Sequence, residues 1–124
     1  MQLDFCNKED YIDKRKGEFS MDIIELNPES FKAILLKPAA LIDFYAPWCG
    51  PCRNMARELE KFAADHPEIA IGKVNIESEE NKELAATFDV STIPSIFFFR
   101  NGQLVKHVTG FFSRTALADE LLRQ

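Results

Sequence analysis

The chain is short of cysteine, of positive charge and of long hydrophobic runs. Its 124 residues include three cysteines, an odd number that makes a poor framework of structural disulfides. Lysine and arginine number 15 against 20 aspartates and glutamates, and the resulting net charge of −5 argues against binding to a phosphate backbone. No stretch approaches the roughly 20 apolar residues that a membrane-spanning helix requires. What remains is the composition of one compact globular domain, 46% hydrophobic and 28% charged.

The first residues lack the features of a targeting sequence. Charged side chains, among them Asp4, Lys8 and Asp10, interrupt the apolar core that a secretory signal requires. The six acidic residues up to Asp22 fit a transit peptide poorly. We therefore expect a cytoplasmic protein, in a compartment that keeps thiols reduced.

Residues 1–21 differ from the rest of the chain because they mix charges without an apolar period. We expect them to form a loosely ordered N-terminal extension, in which Cys6 is an incidental thiol and the basic run 14–16 is solvated. Residues 22–124 then form the single folded domain.

Strands and helices alternate along that domain. The predicted strands are 23–26, 40–46, 69–76, 95–100 and 103–109, with a hairpin turn at Asn101-Gly102. Four helices are predicted. The first begins after the capping residue Asn27 and ends at Pro38, and the second and longest covers 50–66 and ends at Pro67. The other two begin after the capping residues Ser78 and Ser113. This order predicts an α/β fold with a central mixed sheet and helices on both faces.

Two cysteines stand where a buried strand passes into a helix, in the segment 48–52, WCGPC. Residues three positions apart at a helix start are close enough to form a disulfide. The partial positive charge of the helix N-terminus favours a thiolate, the species that attacks disulfides. We expect Cys49 to lie at an exposed lip and attack, and Cys52 to face inward and resolve the mixed disulfide.

Two other interpretations of this pair remain open. A C-x-x-C pair can be half of a zinc site, but zinc needs four ligands, and the remaining candidates are Cys6, His66 and His107. Both histidines are expected to be surface or helix-end residues rather than ligands, so no metal is expected. A purely structural disulfide is the other alternative.

Asp43 is an acid inside an otherwise apolar strand. It lies either on a solvent-facing edge or, if the strand is central, in the interior, where burial raises the pKa of a carboxyl group. A buried acid with a raised pKa could accept the proton of Cys52 during resolution.

Three separated motifs resemble the thioredoxin family. They are residues 43–52, DFYAPWCGPC, residues 73–76, KVNI, and residues 91–95, STIPS. The likeness runs from about Ile23 to the C-terminus and implies the thioredoxin fold. It also implies that Asp43 is the buried acid and that Lys73 accompanies it.

The same resemblance implies a substrate-binding surface around the cysteines. It implies a cis peptide bond before Pro94, with the backbone of Ile93 free to pair with an extended substrate. An apolar rim of Trp48, Ile93, Pro94 and Gly110 would surround Cys49, beside Gly50 and Pro51. We expect four other aromatic residues, Phe97, Phe98, Phe99 and Phe111, to belong to the core.

Two residues depart from the family pattern. Tyr45 replaces a commoner tryptophan, which should leave aromatic packing intact. Arg57 stands where many thioredoxins have a helix-kinking proline, so the helix should run straighter.

The resemblance implies a monomeric general protein-disulfide reductase without a bound cofactor, reduced by a thioredoxin reductase that uses NADPH. The pair Gly50-Pro51 favours this reading, since oxidases and isomerases of the family usually carry a histidine there. An exported oxidant or isomerase, and a binding module whose thiols are idle, are the alternatives.

Overall fold

The computed structural model describes residues 12–13, 18–19 and 23–123. Cys6 and the basic run 14–16 lie outside these residues, as does most of 1–21, so the predicted loose order of that segment stays a prediction. The elements are β1 (Ile12–Asp13), β2 (Glu18–Phe19), β3 (Ile24–Glu25), α1 (Pro28–Ile34), β4 (Ala39–Tyr45), α2 (Gly50–Asp65), β5 (Ala70–Asn75), a 3₁₀ turn (Glu79–Asn81), α3 (Lys82–Thr87), β6 (Ser95–Arg100), β7 (Gln103–Thr109) and α4 (Arg114–Leu122).

The described residues form a five-stranded mixed sheet in the order β3-β5-β4-β6-β7, and β1 pairs separately with β2. Strands β3 and β4 run parallel to β5, whereas β6 is antiparallel to both of its neighbours, β4 and β7. The apolar run of β4 therefore occupies the middle of the sheet, as its composition predicts. The predicted mixed sheet is confirmed.

Successive residues of β4 point to opposite faces of the sheet and join two separate cores. Leu41 packs with residues of α2 and α4, including Met55 and Leu117. Ile42 packs on the other face in the cluster that contains Phe31 of α1. Helices thus cover both faces of the sheet. Asp43 is two residues after Leu41 in the same strand, so it lies on the same face as Leu41, the face covered by α2.

Local signals account for most of the helix and turn positions. The side chain of Asn27 accepts a hydrogen bond from the Ser30 amide at 2.8 Å, and the Ser30 hydroxyl accepts one from the Asn27 amide at 2.9 Å, which forms a capping box. Asn101 and Gly102 both have positive φ, 51° and 80°, as a two-residue hairpin turn requires.

Two predicted helix boundaries differ from the structure. The first helix ends at Ile34, before Pro38. Beyond it the amides of Leu36 and Lys37 donate to the carbonyls three residues earlier, both at 3.1 Å, so the chain continues in turns instead of in an α-helix. Ser78 precedes a 3₁₀ turn rather than an α-helix, and its side chain makes no capping hydrogen bond. Ser113 does cap α4, since its hydroxyl accepts from the Ala116 amide at 3.2 Å. Among the described residues, no helix has the length and apolar character to cross a membrane.

Candidate active site

The turn after β4 places Cys49 at the start of α2. Cys49 is the N-cap residue, with extended φ and ψ of −86° and 114°. Its amide donates to the Ala46 carbonyl at 3.1 Å, and its Sγ accepts a hydrogen bond from the Cys52 amide at 3.1 Å. A free helix N–H group thus points at the sulfur, an arrangement that favours negative charge there.

Cys49 and Cys52 are joined by a disulfide, with their Cα atoms 5.2 Å apart. This separation lies in the usual range for disulfides. The two cysteines form one small cluster with Ala46, against which Ile76 and Ile93 pack.

The prediction that Cys49 lies at an exposed lip is wrong for this disulfide form. Cys49 is 5% exposed and Cys52 is 2% exposed, so the two differ little. Cys49 is covered because its sulfur is bonded to Cys52 and because Ile93 packs on the same cluster. The inward position of Cys52 is as predicted.

Two loops bring the predicted rim residues towards the disulfide. The Ile93–Pro94 peptide bond is cis, as predicted, and Ile93 contacts the cysteine cluster. The Gly110 amide donates to the Pro94 carbonyl at 2.8 Å and holds the end of β7 beside the start of β6. Pro94 itself is buried, since β4 and β7 flank the strand that it precedes, so it is not part of the exposed rim.

Two aromatic side chains that are adjacent in sequence to Cys49 and Gly110 are exposed. Trp48 is 65% exposed, and its Nε1 donates to Glu77 at 3.0 Å. Phe111, predicted to belong to the core, is 51% exposed, because Phe112 rather than Phe111 turns towards the core after Gly110. Phe97, Phe98 and Phe99 are buried, as predicted. Pro51 is exposed and Gly50 is half-buried at the start of the helix.

Asp43 is a buried acid, so the solvent-edge alternative is wrong. It lies in the central strand, is 1% exposed, and its Oδ1 has no hydrogen-bond partner. Burial raises the pKa of Asp43 to about 8; the positive charge of Lys73 opposes this increase, and the negative charge of Glu25 adds to it.

A cavity of about 90 Å³ connects the acid with the inner cysteine. Both Asp43 and Cys52 line it, together with Lys73 and five further residues: Tyr45, Ala46, Pro47, Arg53 and Ala56. The space is large enough for a bridging water molecule. The Cys52 side chain and the Asp43 carboxyl group therefore border one shared space.

Lys73 is the cross-strand neighbour of Asp43 on β5. Its side chain is 33% exposed, and its Nζ lies 4.0 Å from Glu25 and 5.1 Å from the centre of the Tyr45 ring. The Tyr45 hydroxyl donates to both carboxylate oxygens of Glu25 at 2.9 Å, and burial together with this bond raises the pKa of Tyr45. The tyrosine therefore does more than conserve aromatic packing.

Arg57 and the two histidines make contacts within the fold. Arg57 donates to the Asn54 side chain at 2.8 Å on a continuous helix α2; the straightness of that helix stays a prediction. His107 bonds the Ser95 hydroxyl at 2.7 Å and stacks on Phe97, while His66 packs on Phe62. Within the part of the chain that the structure describes, no three His, Cys, Asp or Glu side chains cluster as a metal site.

Sequence reasoning missed Glu25, Glu77 and the exposure of Phe111. Glu77 directly follows the KVNI motif, and Glu25 alternates with the apolar residues of the first strand. The expected strand order places both near one edge of the sheet, where the ends of neighbouring parallel strands meet, but their hydrogen-bond partners depend on strand register, which the sequence does not show.

A mixed sheet whose central strand leads into a helix capped by a cysteine of a C-x-x-C pair, beside a cis proline, defines a thiol–disulfide oxidoreductase. The Thioredoxin family model matches residues 22–123. The chain therefore belongs to the thioredoxin family, and it has thiol–disulfide oxidoreductase activity of the dithiol type.

Individual relatives agree with this assignment. The chain is 38% identical to the thioredoxin of Chlamydia pneumoniae over 94 residues, 76% of this chain and 90% of that protein. It is 36% identical to the thioredoxin of Staphylococcus aureus over 101 residues, 82% of this chain and 96% of that protein. The crystal structure of thioredoxin from Trypanosoma brucei brucei superposes with a TM-score of 0.71 at 28% identity, covering 81% of this chain and 91% of that one. Oxidised mitochondrial thioredoxin 3 from Saccharomyces cerevisiae gives 0.71 at 29% identity, covering 82% and 95%.

Proposed function

We propose that this chain is a general protein-disulfide reductase in which Cys49 attacks and Cys52 resolves. The observation that carries the proposal is the asymmetry of the pair: Cys49 caps α2, whereas Cys52 shares a cavity with the buried acid Asp43. Each sulfur thus has the neighbour that its step requires.

The first step is attack by the Cys49 thiolate on a substrate disulfide. A new bond forms between Cys49 Sγ and one substrate sulfur, and the substrate disulfide breaks to release a thiolate. The Cys52 amide, which donates to Cys49 Sγ, and the helix N-terminus stabilise the attacking anion.

The second step needs a proton acceptor for Cys52. The Cys52 thiol passes its proton to the Asp43 carboxylate through the shared cavity, and its thiolate attacks Cys49 Sγ. The mixed disulfide breaks, the second substrate thiolate leaves, and the Cys49–Cys52 disulfide forms. Two electrons have then passed from the protein dithiol to the substrate. The positive charge of Lys73, the register partner of Asp43, partly offsets the negative charge of the ionised acid.

Substrates bind on the exposed rim and against the loop of Ile93. Trp48 and Phe111 provide apolar area for varied protein surfaces. Ile93, which precedes the cis Pro94 and contacts the cysteine cluster, is placed to pair through its backbone with an extended substrate segment. Gly50, Pro51 and Gly110 border this surface, and the absence of a side chain at the two glycines lets the substrate approach closely.

The oxidised pair must be reduced again after each cycle. A thioredoxin reductase that uses NADPH supplies the two electrons, and the protein works as a monomer in the reducing cytoplasm without a cofactor of its own. The dithiol chemistry of the family and the Gly50-Pro51 pair between the cysteines support this cycle.

Insulin reduction by cysteine variants tests the proposal. In a Cys6→Ser background, which leaves one pair of thiols, both Cys49→Ser and Cys52→Ser should reduce insulin at the uncatalysed rate. Only Cys52→Ser should accumulate a mixed disulfide with insulin, because it retains the attacking thiolate. Mass spectrometry of the non-reduced products distinguishes the two.

Three results would contradict the proposal. Trapping by Cys49→Ser instead of Cys52→Ser would reverse the roles of the sulfurs. An intact pair that reduces insulin no faster than the background would leave a binding module. A reduction potential at the oxidising end of the family range would indicate an oxidant or isomerase.

A further inference from the structure

Three charged side chains form a row across the α2 face of the sheet. Glu25 on β3 is the register partner of Lys73 on β5, and Lys73 is the register partner of Asp43 on β4. Residues in register on neighbouring strands point to the same face, so one ammonium group lies between two carboxyl groups. The two acids differ in environment, because Glu25 is exposed and Asp43 is buried.

The ammonium group of Lys73 lies towards the outer acid. Its Nζ is 4.0 Å from Glu25 Oε1 and 5.1 Å from the centre of the Tyr45 ring. Among the described residues, Glu25 is the carboxylate within salt-bridge distance of Lys73, and Asp43 Oδ1 has no hydrogen-bond partner. The buried acid therefore interacts with this cation only at longer range.

Tyr45 fixes the outer acid in place. Its hydroxyl donates to both Oε1 and Oε2 of Glu25 at 2.9 Å, and its ring lies beside the Lys73 ammonium. Tyr45 is two residues after Asp43 on the same strand, so it shares the face of the sheet with the row. The tryptophan more common at this position has no hydroxyl group with which to make this bond.

We infer that Glu25 is a positioning residue: held by the Tyr45 hydroxyl, it keeps the Lys73 ammonium at the outer edge of the sheet and away from Asp43. It thereby controls how readily the buried carboxyl takes up and releases a proton. This inference deepens the proposed function, on which the catalytic use of that proton rests.

The other groups packed around Asp43 contribute little to its protonation compared with Lys73 and Glu25. The β6 partner of Asp43 is the apolar Ile96. From α2, Cys52 and Arg53 line the cavity, but the Arg53 guanidinium donates to the Pro47 carbonyl at 3.0 Å. The nearby charges that act on Asp43 are those of Lys73 and Glu25. A change at Glu25 therefore acts on Asp43 directly and through Lys73.

The test is a ¹³C NMR titration of the Asp43 carboxyl in the oxidised full chain. Glu25→Gln removes the outer charge and releases Lys73 towards Asp43, so the titration midpoint should fall by about one pH unit. Tyr45→Phe, which removes only the hydroxyl, should lower the midpoint in the same direction by less. Glu60→Gln, an equal charge change on the exposed surface of α2, is the matched control and should leave the midpoint unchanged.

A double variant separates positioning from direct repulsion between the two acids. In a Lys73→Met background the outer glutamate has no ammonium to hold, so adding Glu25→Gln should shift the midpoint by less than half as much. An equal shift in both backgrounds would overturn the positioning role, as would an unchanged midpoint in Glu25→Gln.

The pH profile of single-turnover insulin reduction is the functional readout. The acid limb for Glu25→Gln should move with the Asp43 midpoint, because a proton acceptor must be ionised to act. Because the titration is measured on the oxidised protein without substrate, its result does not depend on whether Asp43 takes part in insulin reduction. A shifted midpoint with an unmoved profile supports the control of Asp43 by Glu25 and contradicts the use of Asp43 as proton acceptor.

Discussion

At the scale of single residues, two aromatic side chains beside the disulfide depend on glutamates that are distant in the chain. Trp48 donates to Glu77, 29 residues later, and Tyr45 donates to Glu25, 20 residues earlier. Trp48 is exposed, so little packing fixes its ring. Its orientation therefore rests on one hydrogen bond to a charged acceptor.

Removing that acceptor should weaken substrate binding rather than the chemical step. Glu77→Ala removes a bond of about 0.5–1.5 kcal/mol. The KM for insulin should rise by about two- to tenfold, while kcat stays nearly constant. Glu77→Gln, which retains an acceptor oxygen, is the control and should stay close to the wild type. A fall in kcat at unchanged KM would show that the bond serves another step.

The sequence could predict some of these residues and not others. Asp43 stands out because an acid inside an apolar run needs an explanation, and its burial follows from the central position of β4. Glu25 and Glu77 do not stand out, since exposed glutamates are common and their partners depend on strand register. The exposure of Cys49 could not be predicted either, because it depends on Ile93 from a distant loop.

At the scale of elements, the segment after β3 packs closely on β5. A Cβ at Gly72 would lie 2.5 Å from Leu26 Cδ1 and 2.8 Å from its Cγ. Leu26 is buried in the core that contains Phe31 and Val74, so its side chain has little room to move away. The glycine thus allows an approach that places Leu26 over the sheet just before α1.

Adding a methyl group at this contact should destabilise the fold. Gly72→Ala is expected to lower the free energy of unfolding by about 1–3 kcal/mol, measured by urea denaturation of the oxidised protein. Gly50→Ala, whose Cβ meets no atom within 4 Å, is the control and should cost much less.

Shortening the Leu26 side chain tests whether its contact with residue 72 causes the loss of stability. In the double variant with Leu26→Ala, the loss should be smaller than the sum of the two single losses, because the clash is gone. Additive losses would show that Leu26 is not the obstacle.

Element positions were predicted best where local chemistry decides them. The hairpin at Asn101-Gly102 requires two residues with positive φ, and the sequence provides the residue types that adopt it. Ser78 has the chemistry of a helix cap, but the chain after it first makes a 3₁₀ turn. Asn81, the last residue of this turn, is buried, and its side chain donates to the Asn75 carbonyl at 3.1 Å and to the distant Leu26 carbonyl at 3.5 Å. No local signal reveals a tertiary contact of that kind.

At the scale of the whole molecule, β4 serves both stability and chemistry. Leu41 and Ile42 anchor the cores on the two faces of the sheet, and Asp43 follows them in the same strand. A buried carboxyl with an unpartnered oxygen is an unfavourable occupant of such a strand. The cost depends on pH, because burial costs the ionised form far more hydration free energy than the neutral form.

Replacing Asp43 by asparagine should therefore stabilise the protein at high pH. Between pH 3.8, the ordinary pKa, and about 8, the value in the fold, the unfolded chain has released a proton that the folded protein still holds. The contribution of Asp43 to stability is thus complete below pH 3.8, falls as the pH rises through this range, and stays low above pH 8. Asparagine resembles the protonated acid and does not ionise.

The oxidised wild type and Asp43→Asn should have similar free energies of unfolding in urea at pH 3.5. At pH 9 the variant should be more stable by several kcal/mol. Asp119→Asn, at an exposed position on α4, is the matched control and should show no comparable dependence on pH. If the difference between wild type and Asp43→Asn is the same at both pH values, the carboxyl does not titrate with a raised pKa. The Asp43 carboxylate would then be too weak a base to hold the Cys52 proton near neutral pH, and the proposed step would need another acceptor.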